Sequence, residues 1–344
     1  MLAQLLAPLK PQLKAFHPSR MLLGAMAFAL PLGVLLWLGQ PMQAGMLGFA
    51  VFYTLISDIG HRRRVRLESM LLGNLAILAA ATLSMSLNEH WGWWLSGIVV
   101  LISLIGANMA AGFTLDITLR SMASAYLVGY PGSFITADFL PMYVLGAVLT
   151  MALSMAFAPR MNNPLNLVKP PNWRREYHSL RKGERAGLTF GILLAFACTF
   201  SFFIAHQAGL SVPSIAAITT LMVFKPEHAQ TMTNIWLRIV GVLLASLLAW
   251  WLIFPLHNLW LLLALISLVA ALLPIAFANG LMYIAAVSTL LIYILLAFFG
   301  LHGQLAKQAA ENRLLETLLG VLVAAIFAMI FQSLKPANPP EAPF

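Results

Sequence analysis

Seven ionisable residues lie in or beside long apolar stretches, where a charge is costly unless it faces a cavity or a partner. Lys225 ends a short apolar stretch and directly precedes Pro226, which holds its ammonium at a helix end. Together with Arg238 it would form a cationic collar that attracts a carboxylate; read as ordinary loop charges, the two only set topology. Arg313 and Glu316 open the last apolar stretch at i,i+3 spacing, and Glu316 reads either as a protonatable carboxylate or as a cap or ion-pair partner. Asp116 and Arg120 are spaced i,i+4, which suits a local helical ion pair and also a polar pair on a transport pathway. Asp58 closes another apolar stretch just before His61, Arg62, Arg63, Arg64 and Arg66, a basic cluster that reads as solvated and topological. The chemistry on offer is the handling of an organic anion, with Asp58, Asp116 and Glu316 as the carboxylates that could titrate.

Other chemistries lack their residues. The histidines are scattered, Cys198 stands alone inside an apolar stretch, and no HExxH or CxxC occurs, so neither a metal site nor a disulfide framework is expected. Without a Walker, GxSxG or GxGxxG motif, the sequence points away from direct use of ATP, from enzymatic catalysis and from a bound cofactor. Trp91, Trp93, Trp94, Trp250, Trp251 and Trp260 read first as an interfacial belt and second as a stacking surface for substrate.

The elements that must position these residues are membrane spans. With 61% hydrophobic and 9% charged residues and a mean hydropathy of +0.87, the chain is too apolar for a soluble globular protein. Apolar segments are predicted at 22–39, 43–58, 68–87, 91–110, 114–129, 140–158, 186–206, 211–224, 234–253, 257–277, 280–299 and 314–333. Lys and Arg concentrate at alternate segment ends, as at Arg62–Arg66 and Arg174–Arg185, with Lys307 and Arg313 as the exceptions. Cytoplasmic loops retain such charge, so both termini are expected in the cytoplasm and the +9 net charge is topological rather than a sign of nucleic-acid binding. Residues 22–39 read as an uncleaved first anchor, since Lys10, Pro11 and Lys14 interrupt any signal-like core before them.

The expected fold is an all-α polytopic membrane protein of about twelve transmembrane helices in two parallel six-helix repeats. A cytoplasmic segment (1–19) precedes the first repeat (20–158); a basic linker (159–184) leads to the second repeat (185–334) and a cytoplasmic tail (335–344). The linker is rich in Pro and Asn and carries Trp173 and Tyr177, which suit a membrane interface. Arg20 and Arg185 open corresponding spans, and Gly73 corresponds to Gly241. Segments 43–58 and 211–224 are the short ones, at roughly 20–25 Å. Paired short spans point to a transport pathway, so they are expected nearer the symmetry axis than spans 91–110 and 257–277, which read as lipid-facing.

From Arg185 onward the sequence resembles the fusaric-acid-resistance-like family of aromatic acid exporters. The likeness lies in Arg185-Ala-Gly, in the stretch 221–249 with Lys225-Pro226, Arg238, Gly241 and Ala245, and in 313–325 with Arg313, Glu316, Gly320 and Ala324. Residues 20–158 look like a diverged copy without the Lys-Pro signature, and Pro213-Ser214 stands where the family often has Trp. The resemblance implies an efflux transporter of the bacterial inner membrane for small organic anions, aromatic carboxylates in particular. It further implies proton drive and work with a periplasmic adaptor and an outer-membrane channel. A passive organic-anion channel and a non-transporting assembly or scaffold protein are the alternatives, and a homo-oligomer stays open.

Overall fold

The computed structural model describes residues 18–59, 62–87, 89–109, 113–130, 138–157, 172–183 and 186–334, and within them the chain is helical with no strand. Most of the N-terminal segment, most of the linker, Arg185 and the tail 335–344 lie outside the described residues. The first part of the chain forms α1 (Pro18–Trp37), α2 (Pro41–Ser57), α3 (Arg63–Ser86), α4 (Trp91–Ala107), α5 (Phe113–Val128) and α6 (Phe139–Phe157). A short helix α7 (Trp173–Arg181) follows. The rest forms α8 (Leu188–Gln207), α9 (Ser214–Val223), α10 (His228–Leu252), α11 (Leu259–Ala271), α12 (Leu273–Asn279), α13 (Leu281–Phe298) and α14 (Gly303–Leu334).

Local sequence explains the breaks. Pro41 occupies the first turn of α2, where its missing N–H costs nothing. Gly209 turns the chain between α8 and α9 at φ +68, a backbone that a side chain would strain. Segment 257–277 is divided, because Pro274 starts a new helix directly after Leu272 closes α11. Among the described residues, eight helical stretches are long and apolar enough to cross a membrane: α1, α3, α6, α8, α10, α11 with α12, α13 and α14. This is a multi-pass membrane protein. Helices α2, α4 and α9 are apolar but shorter, and α5 has 16 residues. With ten residues α9 rises only about 15 Å, less than sequence reading gave it, and the chain continues from it as extended backbone at Phe224.

The largest packings join α4 to α8, α10 to α13, α1 to α11, α3 to α5, α2 to α6 and α9 to α14. Small residues allow the closest approaches: a Cβ on Gly24 would stand 2.6 Å from the Ala270 carbonyl oxygen, and one on Gly191 would stand 2.2 Å from that of Ser103. Contact at this range favours van der Waals packing, the main attraction between helices once lipid surrounds them. Helices α4 and α11 are therefore not simply lipid-facing. Each turns one face to the first helix across the linker and leaves Trp93, Val100 and Leu104, or Trp260, Leu261 and Leu268, on the outside. Two hydrophobic cores result, and both draw residues from before and after the linker.

The described end of the linker is anchored. Asn172 caps α7, the Glu176 carboxylate accepts the Leu115 N–H at 2.8 Å, and Trp173 and Arg174 donate to Glu68 at 2.9 and 2.7 Å. Helix α7 is thereby tied to α3 and α5.

Candidate functional site

Three helices each bury an arginine at the head of a stripe of buried residues with i, i+3, i+4, i+7 spacing, most of them small or polar. In α3 the stripe is Arg66, Ser69, Met70, Gly73; in α10 it is Arg238, Gly241, Val242, Ala245; in α14 it is Arg313, Glu316, Thr317, Gly320. Residues so spaced share one helix face, and these faces are the ones that meet other helices. A Cβ on Gly241 would stand 2.4 Å from the Met282 carbonyl oxygen, and one on Gly320 the same distance from that of Ala216, so α13 and α9 approach at backbone distance.

Arg238 and Arg313 form the centre. They are 6% and 8% exposed, and each buries its Nε without a hydrogen-bond partner. Among the described residues no carboxylate lies within ion-pair distance of either. They are close enough to repel one another, and Arg313 also acts electrostatically on Tyr53, Tyr293 and Glu316. The Tyr293 hydroxyl is positioned by Ser246 at 3.0 Å. Glu316 turns away from ion pairing: its Oε1 accepts the Val212 N–H at 2.7 Å, just before α9, and its Oε2 is buried without a partner. Helix α9 is further held by Thr220, which donates to the Gly320 carbonyl at 2.9 Å and meets the Ser201 hydroxyl at 2.8 Å.

Lys225 does not join Arg238 in a collar. Its Nζ donates to Asp116 at 3.1 Å, and the other oxygen of Asp116 accepts from Arg120 at 2.9 Å. Arg120 also donates to the Leu221 carbonyl, which ties α5 to the last turn of α9. The i,i+4 pair is thus real and is shared with a third residue. Thr231 fixes the Lys225 backbone by accepting its N–H at 3.0 Å and donating to its carbonyl at 3.1 Å. Burial pushes the Lys225 ammonium down to about 8; Arg120 acts in the same direction and Asp116 opposes. A cavity of about 340 Å³ opens here, lined by Lys225, Glu227, His228 and Phe331 among others.

Asp58 is locked. Arg66 donates to both its oxygens at 2.6 and 2.5 Å, Ser154 bridges the two at 2.7 and 2.9 Å, and Arg20 reaches the Asp58 carbonyl at 3.3 Å. Arg66, 1% exposed, is not part of the solvated cluster that includes the exposed Arg62, Arg63 and Arg64. Sequence reading passed it over because it follows three other arginines; its helical spacing from Ser69 and Gly73 was the available signal.

The arrangement thus comprises a central pair of guanidiniums without an ion-pair partner, an Asp116–Arg120–Lys225 network at the end of α9 in which one carboxylate is shared by two cations, and a closed Asp58–Arg66 pair. Residues 187–327, which carry Lys225, Arg238, Arg313 and Glu316, match the family described as fusaric acid resistance protein-like. That stretch of the second half is similar to the family over its matched residues. Asp58, Asp116 and Arg120 lie before the fusaric-acid-resistance-like region, so the network at Lys225 joins it to the first half. No curated protein and no solved structure matches the chain.

Proposed function

We propose that this protein moves small organic anions, aromatic carboxylates foremost, out of the cytoplasm across the bacterial inner membrane. The observation that carries the reading is the Arg238–Arg313 pair. Two like charges buried together without an ion-paired carboxylate are unfavourable alone, and a carboxylate between them would satisfy the orphaned Nε donors and cancel the repulsion. Tyr53 and Tyr293, within electrostatic reach of Arg313, are the aromatic side chains available to such an anion. Outward direction and a periplasmic adaptor with its outer-membrane channel rest on the family resemblance, and so does the involvement of protons.

The same proposal includes the architecture. Twelve crossings arise if α2, α4, α5 and α9 cross with the eight long stretches, the shortfall in α9 being tolerated because it is walled by α5, α8 and α14. Two parallel repeats are supported by matched pairings: α4 on α8 as α11 on α1, α3 on α5 as α10 on α13, and α2 on α6 as α9 on α14. With the basic loops cytoplasmic, the cavity at Lys225 faces the cytoplasm and Val212 the opposite side.

The test is benzoate flux in proteoliposomes containing the full chain. Wild type is expected to carry benzoate, and Arg238→Met and Arg313→Met to lose it at matched incorporation. Unchanged flux in both variants would dismiss the site. Current that reverses at the benzoate equilibrium potential would assign the passive channel in place of the pump, and no flux in wild type would favour a scaffold.

A further inference from the structure

The carboxylates of the buried clusters differ in a way that anion transport alone does not require. Asp58 receives two bonds from Arg66, and Asp116 is shared by Arg120 and Lys225. Glu316, at 1% exposure, has no cation within ion-pair distance among the described residues. One of its oxygens is satisfied by the Val212 N–H and the other by nothing. An oxygen in that position can take a proton without breaking a hydrogen bond.

Its surroundings limit what else could titrate beside it. On its own helix the facing charge is Arg313. The loop before α9 supplies the Val212 N–H, and α9 has no titratable group, only hydroxyls such as Ser214 and Thr219, buried and unpartnered. Helix α13 contributes Tyr293, Tyr130 faces it from the end of α5, and α10 contributes Arg238 through Arg313. Helix α8 also packs on α14, but His206 stacks on Phe202 and Trp91 instead, and the buried Cys198 lies in the field of Arg120.

Resting on the reading that Arg238 and Arg313 hold an organic anion, we propose that Glu316 is a linked proton site, so that the pocket takes up its anion and a proton together. The ionised carboxylate is a fixed negative charge beside Arg313, and it competes with an arriving carboxylate for the field of that guanidinium. Protonated, it leaves both guanidiniums to the anion. Linkage is reciprocal, so the bound anion must draw the proton on as strongly as the proton tightens the anion.

Calorimetry of benzoate binding to the purified full chain, in buffers of different ionisation enthalpy, reads the protons taken up per anion. Benzoate itself stays ionised throughout the neutral range. Wild type is expected to take up protons on binding and to lose affinity by roughly tenfold or more as pH rises through that range. Glu316→Gln should bind benzoate without proton uptake and without pH dependence. Proton uptake retained in Glu316→Gln would overturn the linkage while leaving the anion site intact. Arg238→Met separates the two ideas: benzoate affinity equal to wild type there would remove the anion site itself. Infrared difference spectra of wild type alone provide the check that needs no variant. Benzoate should add a protonated-carboxyl band, and its absence overturns the proposal.

Discussion

Replacing Arg238 by Met should make the empty protein more stable and the anion bind worse. The guanidinium is 6% exposed, its Nε has no partner, and the charge that acts on it is the like charge of Arg313. Met keeps an unbranched apolar stem of similar reach and removes both the desolvation cost and the repulsion. Exchanging buried charges for apolar side chains of like volume stabilises by about 1–4 kcal/mol in the cases where it does so, and an unneutralised charge should fall in that range. In the anion complex the sign reverses. A hydrogen bond to a charged group contributes about 1.5–3 kcal/mol, so losing it should cost roughly 10–150-fold in benzoate affinity. Thermal unfolding in detergent, with and without benzoate, reads both effects: the variant should melt higher than wild type without benzoate and gain less from its addition. A variant that melts lower without benzoate would mean that the Arg238 guanidinium is already neutralised in the resting protein, and the argument for a missing anion would fall with it.

Asp58→Asn should be severe, because it leaves Arg66 buried beside a neutral side chain; about 3–5 kcal/mol of stability is at stake, measurable as a lower melting temperature, and Asp58→Leu with Arg66→Met should recover most of it. The Lys225 ammonium sits below its usual 10.5 at about 8, so the folded state gives up that proton first and stability should rise with pH between those values. Transport that depends on this charge should fall through about pH 8, whereas Lys225→Arg stays charged and should shift the fall upward; superimposable pH profiles would make Lys225 a topological charge only.

Much of this was legible in the sequence. The apolar runs fixed the helical class, and Pro41, Gly209 and Pro213 mark where the short helices begin and turn. The length of α9 was not legible, because an extended residue as apolar as Phe224 reads the same as one more helical position. The charged residues divide by what decides their partners. Asp116 with Arg120 is a local pair and could be read from spacing, while Lys225 with Asp116 joins residues more than a hundred positions apart and depends on how α5 meets α9. Arg238 and Arg313 were each visible, but their proximity depends on α10 packing against α14. Arg66 shows the remaining difficulty: composition assigns it to a basic loop, and only helical phase assigns it to a buried face.

On the two-repeat reading, the differences between the halves explain why one half alone would bind. Gly146 meets the Leu47 carbonyl as Gly320 meets that of Ala216, and Gly73 stands for Gly241. In that register Met70 occupies the place of Arg238, Phe139 that of Arg313 and Met142 that of Glu316. Phe139 packs on Phe49 and Tyr143, and Met70 is fully buried, so the first half fills with apolar side chains the space where the second half keeps charge. Of the charges it buries, Asp58 and Arg66 cancel within one bidentate pair, and Arg120 is paired with Asp116. A well-packed half with its buried carboxylates paired is suited to serve as a wall, whereas buried like charges in the other half leave a site whose stability depends on occupancy. Binding energy would then act on α10 and α14, because those helices carry the charges whose balance changes when an anion arrives.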